Sequence, residues 1–226
     1  SNGSGKSTLF NNLMGILKST EGEILYNGEQ IKYDKKSLYN LRKEVGIVFQ
    51  DPEKQIFYSM VYDDIAFALR NIGIDEKTIK ERIHTALEAV NGLQFIDRPV
   101  HNLSFGQKKR VAIASVVAME NKLVLLDEPT AGLDPISTRA IVDIIKGLNK
   151  RGVKIVISSH DMNLIYEICD YVYVLNQGVL INEEKIDEAG LELPWLVKLH
   201  KNMGLPLFTR EEDLYSYWNH REQKTV

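Results

Sequence analysis

The chain of 226 residues has one cysteine, Cys169, so no disulfide can form within it and a disulfide-stapled scaffold is excluded. A single thiol suits a reducing compartment. Long apolar runs are also missing. The longest are five residues, at Ile65–Leu69 and Tyr171–Leu175, against the roughly twenty that a spanning helix needs, so no segment is expected to cross a bilayer by itself. Charge of one sign is not in excess: 28 Lys and Arg face 31 Asp and Glu, a net charge of -3, which argues against a general nucleic-acid coat. No charged segment leads into an apolar stretch near the start, so no signal peptide is expected. Internal repeats and low-complexity tracts are absent. What remains is 44% hydrophobic and 26% charged, the composition of a globular protein with ample chain for a core.

The apolar pattern alternates between two periods. Helical spacing is read over Lys6 to about Leu17, Val61–Asn71, Glu76–Asn91, Phe105–Met119, Pro135–Lys150 and Met162–Ile168. Short apolar runs at Val45–Phe49, Leu123–Leu126, Val153–Ser158 and Tyr171–Leu175 read as buried strands. Asn27-Gly28 between Glu23–Tyr26 and Glu29–Ile31 is a hairpin turn, and Gln177-Gly178 turns into Val179–Asn182. Strands alternating with helices imply an α/β fold with a parallel sheet and covered faces. The helical stretch 51–119 reads as an inserted lobe. Beyond Glu183 the sequence is charged and mixed, with helices expected at Trp195–Met203 and Glu211–Asn219.

Five features carry chemistry. The first is SNGSGKST, the end of the phosphate-loop pattern G-x-x-x-x-G-K-[ST]. Gly3 and Gly5 allow backbone N–H groups close to phosphate oxygens, Lys6 can bridge the β- and γ-phosphates, and Ser7 can hold Mg²⁺ at a helix start that favours anions. The competing reading is a flexible, linker-like terminus. The second is LVLLDEP, four apolar residues and then Asp127 and Glu128. Ligands of open α/β sheets bind at strand carboxyl ends. Asp127 could hold Mg²⁺ through water and Glu128 could accept a proton from an attacking water, although many strands simply end in polar residues. The third is LSFGQKKR, which opens a helix at Ser104, with Gly106 permitting close approach of a ligand. Its basic first turn opposes the helix dipole, a conflict that a nearby anion would offset. The bland alternative is an ordinary cap. The fourth is His160, placed after a strand run, and the fifth is Gln50, closing Val45–Phe49. A Gln amide both donates and accepts. A solvated His and a surface Gln are the alternatives.

Taken in order, GKST, the Gln after an apolar run, LSxGQ, DEP, AGLD at Ala131–Asp134 and the His after a strand resemble the nucleotide-binding subunit of ABC transporters over about Ser1–Asn182. FQDPEKQIF at Phe49–Phe57, LSFGQKKRVAIA at Leu103–Ala114 and LPWLVKLHKNMGLPLF at Leu193–Phe208 resemble the energy-coupling-factor branch, its cobalt or nickel import type most of all. The resemblance implies a P-loop ATPase domain over 1–182 and a C-terminal extension over 183–226. ATP and Mg²⁺ are the implied ligands. Asn2, Gly3, Gly5, Lys6, Ser7 and Thr8 would bind phosphate, with Ser7, Gln50 and Asp127 around Mg²⁺. Glu128 would be the general base, with His160 and Gln50 at the γ-phosphate. Ser104, Gly106 and Gln107 would act on the ATP of a second subunit, and Asp134 would join the dimer seam. Such a composite site would also explain a basic helix start that lacks an anion in its own chain.

The implied partners are integral membrane subunits and a second copy or a paralogous ATPase, at the cytoplasmic face of the membrane, with no nucleic acid. Vitamin uptake by a shared energising module is the alternative within the class. A soluble ABC ATPase outside transport and a P-loop kinase or nucleotide sensor are the rivals outside it; the last would not need LSFGQ or AGLD. Phe105 stands where the usual signature has glycine. The family also carries a strand, a small antiparallel sheet and an adenine-stacking aromatic before the phosphate loop, so the chain is expected to be truncated N-terminally relative to it, and shorter around 182–188.

Overall fold

A computed structural model describes residues 3–182, together with Pro206, Leu214, Ser216 and Tyr217. Two compact units divide the chain: Lys6–Ser158, and Ser1–Gly5 with Ser159–Val226.

The larger unit is built on three parallel strands, β3 (Val45–Val48), β4 (Leu123–Asp127) and β5 (Lys154–Ser158), in the order β3-β4-β5. The register pairs Val48 with Leu126 and Asp127 with Ser158. Parallel strands end on one side, so Gln50, Asp127 and Glu128 follow the same sheet edge. Val124, Leu125 and Leu126 are buried, as a central strand requires. The expectation of covered faces fails at β5, where Val156 is 43% exposed. Among the described residues β5 pairs with β4 alone, which makes it an edge.

Helix α1 (Lys6–Leu13) precedes a small hairpin, β1 (Leu25–Tyr26) and β2 (Glu29–Gln30), whose turn residues Asn27 and Gly28 have φ of 52° and 81°, the two positive values of a type I′ turn. The expected helix reaches Leu17, but α1 stops four residues sooner. Gly15 takes φ 62°, and Gly15 and Ile16 donate back to Asn12 and Asn11, closing the helix end. Helix α2 (Lys35–Glu44) is an addition to the elements read from the sequence. Asp34 caps it by accepting from Lys36 and Ser37, and only Leu41 along it is buried.

The lobe consists of 3₁₀ turns at Pro52–Lys54, Leu93–Phe95 and Val100–Asn102 and helices α3 (Val61–Asn71), α4 (Glu76–Ala89) and α5 (Phe105–Ala118). Val61, Ile65, Leu69, Ile79, Ile83 and Leu87 are completely buried, the recurring three- and four-residue spacing of an apolar stripe. Helix α6 (Pro135–Lys150) follows β4 and buries Ile141, Val142, Ile144, Ile145 and Leu148.

In the smaller unit, helix α7 (Met162–Ile168) is capped by Asp161 and packs Met162 and Ile165 with Val174. Strands β6 (Tyr173–Asn176) and β7 (Val179–Asn182) form an antiparallel hairpin, with φ of 47° and 78° at Gln177 and Gly178. The run Tyr171–Leu175 was read as a further buried strand alternating with helices. The strand begins two residues later, and its only described pairing is with β7. Tyr171 and Tyr173 are mostly exposed. Of the expected helix Glu211–Asn219, Leu214, Ser216 and Tyr217 are described and helical; Trp195–Met203 lies outside the described residues.

Candidate active site

The larger unit gathers the start of α1 onto the end of β4. Ser7 Oγ donates to Asp127 Oδ2 at 2.7 Å. Lys6 Nζ lies 3.5 Å from Glu128 Oε1. These pairs join residues about 120 positions apart, as the motif spacing required. Asp127 and Glu128 are both buried, and burying carboxylates is costly unless they are paired and hydrogen-bonded. Asp127 also accepts from the Ser158 hydroxyl, and Glu128 N–H donates to Ser158 O at 2.9 Å. Parallel pairing of β4 with β5 supplies that second layer.

Glu128 has φ +46° and precedes Pro129. A non-glycine residue there costs on the order of 1–3 kcal/mol and persists only when its surroundings over-determine it; a following proline narrows the choice further. Such strain concentrates at functional sites.

Ser7, Gln50, Asp127, Phe105 and Gly132 line one open cleft of about 650 Å³. Ser7 and Asp127 present oxygen atoms, the donors that Mg²⁺ takes, and Mg²⁺ sites commonly combine one carboxylate with substrate phosphates. The residues present therefore fit the ion and a phosphate chain. Gln50 is exposed at the cleft. Thr8 is exposed on α1, and its carbonyl accepts from the Asn12 amide.

Ser104 and Gln107 form a reciprocal capping box at the start of α5: Ser104 Oγ accepts from Gln107 N–H, and Gln107 Oε1 accepts from Ser104 N–H. Gly106 is needed for approach within the chain as well. A Cβ there would lie 3.1 Å from Ser137 Oγ and 3.5 Å from Leu133. Asp134 caps α6 through Ser137, whose hydroxyl and N–H hold its carboxyl below the ordinary carboxylate range. Phe105, in place of the signature glycine, lies against Gly132, where a Cβ would come within 3.4 Å of the ring.

The idea that the basic turn of α5 lacks an anionic partner in its own chain is overturned. Lys108 pairs with Glu53, Lys109 donates to the Glu128 carbonyl at 2.7 Å, and Arg110 donates to the Asn91 carbonyl. The lobe and the strand end supply the acceptors, so the dipole conflict is met locally. Lys109 is the functional candidate that the sequence reading passed over. A lysine is ordinarily placed at the surface, yet 109 shares a helical face with the buried Ala112, Ile113 and Val116, and that spacing was the available signal.

In the smaller unit, Gly3 and Gly5 take φ of 78° and 100°, and the buried Ser4 hydroxyl has no hydrogen-bond partner among the described groups. His160 is exposed immediately before the α7 cap. Asn2 lies outside the described residues.

This arrangement, with GKST at a helix start facing a strand-end Asp-Glu pair and a helical lobe bearing LSFGQ, defines a P-loop ATPase of the ATP-binding-cassette type. Residues 1–131 match the family model described as ABC transporter, and the chain belongs to that family, in its energy-coupling-factor branch. It is 47% identical over 233 residues to the cobalt import ATP-binding protein CbiO of Salmonella typhimurium, covering 99% of this chain and 84% of that one. CbiO1 of Clostridium perfringens, described as part of the ABC transporter complex CbiONQ, superposes with a TM-score of 0.76 at 42% identity, over 90% of this chain and 82% of that chain. The ATP-binding cassette MJ0796, solved as a dimer in a post-hydrolysis state with ADP and Pi, gives 0.71 at 27% identity, over 80% and 82%. Members of the family bind and hydrolyse ATP, and this chain is one of its ATPases.

Proposed function

We propose that the chain energises an importer for cobalt or nickel ions, working as a head-to-tail dimer on an integral membrane partner at the cytoplasmic face. The observation that carries the reading is the convergence of Lys6 and Ser7 on Glu128 and Asp127. Gly3, Gly5 and Thr8 contribute to the phosphate loop, with Asn2 at its entry. Ser7, Asp127 and Gln50 would hold Mg²⁺, which would supply positive charge against the phosphates when bound. Lys6 leaves Glu128 for phosphate oxygens as ATP enters, and the carboxylate then turns to the attacking water. Glu128 takes the water proton as the water oxygen bonds to the γ-phosphorus and the bridging bond to ADP breaks. His160 and Gln50 contact the γ-phosphate. Ser104, Gly106 and Gln107 complete the site of the opposite subunit, and Asp134 lies at the seam.

The likeness to a cobalt importer and to a CbiONQ component supports the solute class. Uptake decides it. A strain lacking the gene loses labelled cobalt or nickel uptake, wild type restores it and Glu128→Gln does not. Unchanged metal uptake, with loss of uptake of a vitamin instead, would move the reading to a shared energising module.

A further inference from the structure

Lys109 takes no part in the roles above. It opens the second turn of α5, yet its exposure is 0%, beside the buried Val111, Ala112 and Ile113. Lysine is almost never fully buried unless its charge is met. The Nζ donates to one backbone oxygen, that of Glu128, at 2.7 Å, with the Phe105 ring 5.9 Å away. The acidic groups whose field reaches it are Glu128, Asp127 and Asp51, and burial outweighs them, pulling its pKa down to about 8. A desolvated amine aimed at a single carbonyl is a costly way to fill space.

The carbonyl it meets belongs to the residue with the left-handed backbone. Glu128 is therefore gripped on both sides: β5 accepts its N–H through Ser158, and α5 donates to its C=O through Lys109. Both grips act on the backbone and leave the carboxylate to Lys6, whose Nζ lies 3.5 Å away. A backbone in that conformation holds only where the surroundings over-determine it, and at the carbonyl end Lys109 acts beside the Ala131 N–H, which donates to the same oxygen at 3.2 Å.

We propose that Lys109 is a positioning residue for hydrolysis, anchoring the Glu128 carbonyl to the N-terminal half of α5 and so fixing the backbone from which the carboxylate reaches water. This rests on the reading of Glu128 as general base.

The test compares Lys109→Met, Lys109→Gln and Glu128→Gln in the full-length protein, measuring turnover at saturating ATP and affinity for a fluorescent ATP analogue. Misplacing a reacting group by an ångström costs up to about 100-fold. Lys109→Met is expected to lower kcat at least about tenfold with affinity changed less than about twofold. Lys109→Gln keeps a shorter donor and is expected to fall between Met and wild type, by at least about threefold. Wild-type kcat in either folded variant overturns the proposal, and Lys109→Gln decides alone if Lys109→Met does not fold. A second readout separates positioning from general damage. In a Glu128→Gln background Lys109→Met adds no further loss, whereas a further fall in residual turnover contradicts the role. Normal turnover in Glu128→Gln sinks the base itself; an inactive Glu128→Gln beside normal Lys109 variants sinks only this proposal.

Discussion

At the carboxyl end of β4, side chains close on one another: Ser7 and Ser158 on Asp127, Lys6 on the Glu128 carboxylate, Lys109 on its carbonyl. The loop before α3 does the reverse. There Gln55 accepts from Phe49 N–H and donates to the Ala112 carbonyl, and buried Asp64 accepts from the N–H groups of Phe57 and Tyr58. Those bonds hold the backbone so that Phe57 is 79% exposed, with Tyr58 and Phe67 half-exposed and their rings 5.2 Å apart. Burial raises the Asp64 carboxyl above its ordinary range, against the pull of the two N–H donors, so the loop is held at an electrostatic cost. One region spends its polar groups on chemistry inside the chain. The other spends them on presenting aromatic surface, the kind that anchors interfaces.

The comparison can be broken at three strengths. The strongest is pH. Lys109 has a native pKa of about 8 against an ordinary 10.5. The native state therefore binds fewer protons than the unfolded state between those values, and stability rises with pH across that window. The contribution is complete above pH 10.5 and lost as pH falls through 8. Relative to Lys109→Met, the unfolding free energy of wild type should climb by up to on the order of 3 kcal/mol over the window. A difference that stays flat in denaturant titrations from pH 7 to 10.5 would show that the amine is not desolvated as described.

Next comes the aromatic loop. Phe57→Ala should weaken assembly with the proposed membrane partner by about 2 kcal/mol, roughly thirtyfold, while ATP affinity stays put. Equal loss of both, or of neither, in pull-down and nucleotide titrations would erase the contrast between the two regions. The smallest effect belongs to Ser104→Ala. Losing the α5 cap should lower nucleotide-free stability by about 1 kcal/mol, read in chemical denaturation. A loss several times larger would mean that the signature serine supports more of the fold than its capping box.

Much of this was legible from residues. Of the run Leu123–Leu126 all but the first residue are buried, its two carboxylates emerge where expected, and both hairpins turn at the dipeptides read from the sequence. Pairing of the phosphate-loop Lys and Ser with the DE pair follows from the motif order. Other parts were hidden for physical reasons. Helix α2 is polar with a single buried residue, Leu41, so its apolar period is faint and only the Asp34 cap marked it. The exposed tyrosines of Tyr171–Leu175 mimic a buried strand because aromatic content alone does not report which side faces water. Lys108, Lys109 and Arg110 read as an unmet basic turn because their partners, Glu53, Glu128 and Asn91, come from distant segments. Gly106 read as room for a ligand, and the room is also taken by Ser137.

The central claim is that the Glu128 carboxylate, paired with Lys6 and carried on a backbone held by Ser158 and Lys109, abstracts the proton of the hydrolytic water. The most direct measurement is single-turnover cleavage of the γ-phosphate by full-length Glu128→Gln, with ATP binding followed in the same sample. The account predicts binding equal to wild type within about twofold and a cleavage rate lower by roughly 10²–10⁴. Wild-type cleavage in a variant that binds ATP normally would contradict it.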